Sequence, residues 1–192
     1  MEREIFFSGI GGQGVQLAAK TLAVAALNSG FQVMIFGSYG GLMRGGNTDA
    51  TIVIGEEALH TPPIVDEAWA ALMMHHYSWP IFKPKLRRGA FVLIDSSVFR
   101  GDADHDGPVL EIGASTIATE AGMSKAASMV ALGAFVAATA IVELDALRAA
   151  AHEVLPPYRA QHAETNVRAL EMGHALVSAP LVEAWPRERT AA

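Results

Sequence analysis

The strongest constraint lies in the first thirty-six residues. "EIFFSG" is a short apolar run that ends in glycine, and "GIGGQG" (Gly9 to Gly14) follows it directly. Next, Val15, Ala18, Ala19, Leu22, Ala23 and Ala26 recur at three-to-four spacing. A buried strand, a tight turn and an amphipathic helix from Gly12 to about Leu27 satisfy that order. Gly30 is placed to close the helix, since glycine enters the left-handed region without a Cβ penalty. "FQVMIF" then reads as a second strand. Strand, glycine turn, helix, strand is half of a doubly wound sheet, with the two strands expected as neighbours.

Downstream, "TDATIVIG", "AWAALMM" and "AFVLID" read as strands, and "VLEIGA" as a short edge strand. "HTPPIVDE" is a turn region, because Pro62 and Pro63 cannot donate to a ladder. "YSWPIFKPKLRR" reads as a broken helix ending at Gly89, and "RGDADHDGP" as a solvated loop. From Ser115 the chain turns helical, with Pro156 and Pro157 separating the last two helices. The fold class expected is α/β: a Rossmann-like three-layer open sheet, mostly parallel, with a helical C-terminal part. Residues 1–178 are expected as one domain, and 179–192 as a tail, loose or laid against a partner.

Composition narrows the function. Apolar residues make up 51% against 18% charged, above the usual balance for a soluble domain. No apolar run reaches the ~18 residues that a membrane span needs. "ASMVALGAFVAATAIV" therefore reads as a helix packed inside protein, where alanine and glycine allow close approach, and part of the apolar surplus as cover for a subunit interface. The chain has no cysteine, which excludes disulfides, thiolate nucleophiles and cysteine-held zinc or iron–sulfur clusters. A formal charge of −6 argues against nucleic acid as the main partner. "MEREIFF" has no basic region before an apolar signal core, so a cytoplasmic location is expected.

Gly9, Gly11 and Gly14 satisfy G-x-G-x-x-G between a strand and a helix, where free amides favour an anion. The acidic residue that a NAD site needs at the end of the second strand is missing, because that position reads "VMIFGSYG". No Lys-Ser or Lys-Thr closes the loop, which excludes a P-loop. The first loop is thus an anion grip or a tight turn that binds nothing. The second, "GSYGGLMRGGNT", is too glycine-rich to order itself cheaply, so a partner or ligand is expected to order it. Within it Arg44, beside Gly45 and Gly46, can present a planar guanidinium to a phosphate or carboxylate; a surface arginine over a packed turn is the alternative.

Together, "GIGGQGV", "SYGGLMRGG", "TIVIG" and "MVALGAF" resemble the gamma subunit, or gamma domain, of the 2-oxoacid:ferredoxin oxidoreductase / pyruvate:ferredoxin oxidoreductase family, as does the closing "NVRALEMG". The similarity runs from Arg3 to Gly173. It implies a component of a thiamine diphosphate enzyme complex that decarboxylates a 2-oxo acid oxidatively and passes the acyl group to coenzyme A. Thiamine diphosphate, magnesium and iron–sulfur clusters then belong to alpha, beta and delta-type partner subunits, with electrons leaving to ferredoxin or NAD through them. Coenzyme A is implied near the interface, and no cofactor is implied for this chain alone. Gly11, Gly12, Gln13, Gly14, Ser38, Tyr39, Arg44, Gly45 and Gly46 are the candidate cofactor-binding residues. Gly41 and Leu42 stand where many relatives have Pro-Glu, and Ser128 where many have Asn.

No catalytic residue is assigned, since no side chain has a visible nucleophile–base partnership. His75 and His76, if extended, point apart, and the remaining histidines show no ligand spacing, so no metal is expected. Met73, Met74, Met129 and Met172 read as core or interface filler. Two other classes stay open: a free-standing nucleotide-binding protein, and a purely structural subunit.

Overall fold

A computed structural model describes residues 1–39, 46–59 and 65–185, with Ser38 and Tyr39 described by their backbone only. Six strands form one sheet: β1 (Glu2–Ile10), β2 (Gln32–Tyr39), β3 (Asn47–Gly55), β4 (Ala68–Met73), β5 (Leu86–Asp95) and β6 (Val109–Ile112). Their order is β2-β3-β1-β4-β5-β6. β1, β4, β5 and β6 run parallel to each other, and β3 is antiparallel to both β1 and β2. Five of the six strands therefore point the same way, as a mostly parallel sheet requires. One expectation is corrected: β2 is not the neighbour of β1, because β3 lies between them. The link from β2 to β3 is too short for a crossover, so β3 must fold back antiparallel beside β2.

The helices are α1 (Val15–Asn28), α2 (Trp79–Phe82), α3 (Ala114–Glu120), α4 (Ala127–Thr139), α5 (Leu144–Glu153) and α6 (Ala163–His174). Strand alternation sends Ile5 and Phe7 into one core with α1 and α3 to α6, and Phe6 into a second core with Trp79, Phe82 and Phe99. The sheet is thus covered on both faces, by long helices on one side and by α2 with its flanking turns and loops on the other. β5 starts at Leu86, before Gly89, so the broken helical stretch ends earlier than the glycine suggested.

α1 closes as its sequence predicts. Gly30 has φ 89°, its amide donates to Leu27 O at 3.0 Å, and the Phe31 amide donates to Ala26 O at 3.0 Å. All residues of α4 are buried, so the apolar alanine-rich run is a core helix. It crosses α6 with glycine on both sides: a Cβ on Gly133 would overlap the Leu170 carbonyl, and one on Gly173 the Val130 carbonyl. Met73, Met74 and Met129 are in the core, and Met172 packs against it.

The segment expected as a tail, loose or laid against a partner, is tied to this chain as far as Trp185. The Leu181 amide donates to Ala138 O at 2.8 Å, and Ala184 is fully buried. Arg3 Nε donates to Ala184 O at 2.6 Å, and its guanidinium lies between Trp69 and Trp185, at 5.0 and 5.7 Å from their ring centres. Trp185 stacks on Phe31 at 4.8 Å and donates to Ile141 O at 2.9 Å. The physical reason is the tryptophan itself, a large apolar surface that water disfavours. No helix among the described residues is long and apolar enough to cross a membrane.

Candidate functional site

The first glycine loop and the described ends of the second meet at the carboxyl edge of the sheet. In the first loop Gly12 and Gly14 adopt φ 101° and 81°, values that only glycine enters freely. The Gln13 side chain braces the loop, accepting from the Ile10 amide at 2.8 Å and donating to Met74 O at 3.0 Å. The Gly11 amide donates to Gly46 O at 2.8 Å, which fastens the first loop to the end of the second. β3 makes this possible, since its first residue Asn47 pairs with Ile10, the last of β1.

Gly11, Gly12 and Gly14 line a groove of about 920 Å³ on the helix side, and Gln13 sits behind it as a brace. Gly46 touches the groove wall through its bond to Gly11. Ser38 and Tyr39 pair with Asp49 and Thr48 at the end of β2, and Thr48 lines the groove. Arg44 and Gly45 lie outside the described residues. The opposite wall comes from distant parts of the chain: Lys125 before α4, Arg159 and His162 between α5 and α6, and the largely buried Asn166 of α6. Sequence reasoning missed these, because no local motif joins residues from separate helix ends.

The groove has one electrostatic sign. Among the described residues that line it, Lys125 and Arg159 are cations and none is a carboxylate. α1 opens into it with no side-chain cap and no acidic residue in its first turn. Its first amide groups therefore point free partial positive charge at the space, the arrangement that binds phosphate or carboxylate. Beneath Gly14 lies Ser128, 1% exposed, whose hydroxyl has no partner among the described residues.

On the other face of the same edge lies a polar cluster. The Ser8 hydroxyl and Asn47 Nδ2 (2.7 Å) donate to the Asp49 carboxylate, and the Ser78 hydroxyl donates to Asn47 Oδ1. Gln16 of α1 donates to the Asp49 carbonyl at 2.5 Å. Burial pushes the Asp49 carboxyl above the usual range, against the opposing pull of its hydrogen bonds. The sign follows. The folded state holds this proton more tightly than the unfolded state, so the contribution of Asp49 to stability falls as pH rises through the raised value. Asp49→Asn is expected to melt higher than the parent at pH 7, with the gap closing below the ordinary carboxylate pKa. Melting curves across pH 3–7 check this.

His75 and His76 differ from the expectation that they point apart. Their rings stack at 4.3 Å, because the chain leaves β4 and turns into a 3₁₀ segment at His76. His75 is held below the usual histidine value, by burial first and then by His76 and Arg100.

Residues 4–176 match the model of the family described as pyruvate ferredoxin/flavodoxin oxidoreductase. The 2-oxoglutarate synthase subunit KorC of Methanothermobacter marburgensis is 30% identical, over 92% of this chain and 97% of that one. The gamma subunit of a keto/oxoacid ferredoxin oxidoreductase from Geobacter sulfurreducens superposes with a TM-score of 0.77 at 29% identity, over 91% of this chain and 95% of that one. The fold also matches the 2-oxoglutarate:ferredoxin oxidoreductase of Magnetococcus marinus, solved with 2-oxoglutarate, coenzyme A and succinyl-CoA bound: TM-score 0.80 at 22% identity, over 97% of this chain and 34% of that longer one. By its sequence and its fold, the chain belongs to the pyruvate ferredoxin/flavodoxin oxidoreductase family, as a gamma subunit of a 2-oxoacid:ferredoxin oxidoreductase.

Proposed function

We propose that this subunit holds the phosphate-bearing end of coenzyme A while companion subunits oxidise a 2-oxo acid to the acyl group that coenzyme A accepts. The observation that carries the reading is the groove: the glycine turn and free amino end of α1 on one side, Lys125 and Arg159 on the other, and no carboxylate among the described residues that line it. Phosphate oxygens match such a surface, since charge-assisted hydrogen bonds from amides, lysine and arginine are the strong ones. Gly11, Gly12 and Gly14 let the backbone approach the ligand closely, and Gln13 holds that turn in shape. Ser38, Tyr39, Arg44, Gly45 and Gly46 belong to the same reading as the second loop, fastened to the first through Gly11 and Gly46, with Arg44 as a further anion contact.

The other groups of the reaction fit companion chains better than this one. A chain without cysteine cannot hold an iron–sulfur cluster by thiolates. Thiamine diphosphate and its magnesium, on this reading, lie in the alpha and beta-type subunits and supply the decarboxylation chemistry there. Electrons leave through beta and delta-type subunits to ferredoxin or NAD. This chain's own part is to bind, orient and enclose. The KorC relatives make 2-oxoglutarate the first substrate to assay.

The test uses the assembled complex. Lys125→Ala and Arg159→Ala are each expected to raise the KM for coenzyme A about tenfold or more, the worth of one charge-assisted hydrogen bond. CoA-independent release of carbon dioxide from the 2-oxo acid should stay at the parent rate. An unchanged KM for coenzyme A in both variants would leave the subunit a structural role only.

A further inference from the structure

The two edges of the sheet are built differently. β6 is short, with the exposed Glu111 on it. β2 is twice as long, carries no charge and no proline in "QVMIFGSY", and has no strand beyond it among the described residues. Ile35 and Phe36 are 43% and 54% exposed there. Natural sheets guard such edges with lysine, proline, bulges or a covering element, because a free row of amides and carbonyls recruits another strand.

The two exposed side chains project from opposite faces. Val33 packs into the helix-side core, and a Cβ on Gly37 would meet Gln16 of α1, so Ile35 between them lies on the helix side. Met34 packs into the other core, which puts Phe36 on that second side. A lone extended peptide would satisfy the backbone and leave both side chains wet. Covering them takes an edge that brings its own layers at the same heights on both faces, and a second copy of this chain does so.

We propose that β2 pairs antiparallel with β2 of a second copy about a twofold axis normal to the sheet, making one continuous sheet across the dimer. Such an interface is self-complementary. With Ile35 on the axis, that residue meets its own mate, and a charge there would face its like at a destabilising distance; β2 carries no charge at Ile35 or anywhere else in "QVMIFGSY". The axis keeps helix layer beside helix layer, so only residues of the same parity stand opposite. Ile35 faces its mate on the helix side, and Met34 faces Phe36 on the other.

The chain has no cysteine, which makes the test clean. Opposed Cβ atoms in an antiparallel pair lie about 4.5–5.5 Å apart, within reach of a disulfide after small adjustment. Light scattering on the full-length chain should give the mass of two copies. Ile35→Cys should oxidise to a covalent dimer, while Ile81→Cys, more exposed and on the second side, should stay single. Phe36→Lys should reduce the mass to one copy. A single-copy mass for the parent with no Ile35→Cys cross-link overturns the proposal. So does a dimer that survives Phe36→Lys without that cross-link, or an edge whose amides gain protection only when a companion oxidoreductase subunit is added. Should Phe36→Lys fail to fold, the parent mass and the Ile35→Cys cross-link decide alone.

Discussion

Gly173→Ala is expected to lower the melting temperature by roughly 6–12 °C, from about 3 kcal/mol of lost stability at the α4–α6 crossing. The added methyl would overlap the backbone carbonyl of Val130, and backbone cannot rotate out of the way as a long side chain can. The helices must separate, and every contact along a wholly buried α4 loosens with them. Gly133→Ala should behave alike, because it meets the Leu170 carbonyl from the other side. Gly113→Ala is the control: its φ is −80°, and its nearest neighbour would be Ser97 Oγ at 3.3 Å. Thermal melts by circular dichroism should show less than half the loss for that variant. Equal losses at Gly113 and Gly173 would remove the crossing as the cause.

The second large effect belongs to Gly14. Alanine there must hold φ 81°, at about 1–2 kcal/mol, and its methyl would lie 2.5 Å from Ser128 Oγ, for another ~1–3 kcal/mol. The two costs separate by a double-mutant cycle. Ser128→Ala alone removes a buried hydroxyl without a partner, so it is expected to be neutral or stabilising by up to ~1 kcal/mol. Added to Gly14→Ala it should recover the overlap and leave only the backbone strain. Melting curves of the four proteins measure this, and the KM for coenzyme A in the assembled complex should rise with Gly14→Ala and recover in part in the double variant. Strict additivity would mean that the two residues do not touch.

Local elements were legible because their causes are local. The spacing of Val15, Ala18, Leu22 and Ala26 dictates α1, and Gly30 dictates where it stops. The position of β3 was harder, because nothing in "TDATIVIG" says which strand it joins. The cue lay in the connection: seven residues from Tyr39 to Asn47 leave no room for a crossover. The glycine half of the groove was readable from its motif. Lys125, Arg159 and Asn166 were not, since three helix ends brought together by packing leave no spacing to count. Trp185 carried a signal in plain view, for a tryptophan in an apparent tail needs a surface to cover it.

The clasp at Arg3 gives the molecule a built-in optical reporter. Two of its three tryptophans, Trp69 and Trp185, flank one guanidinium, while Trp79 sits across the sheet with its indole N–H toward Asp104. Release of residues 181–185 strips the cation and the Phe31 ring from Trp185 and moves its indole into water, while Trp79 keeps its surroundings. The colour and intensity of the emitted light thus register the state of the C-terminal strap separately from the integrity of the rest, with no dye attached.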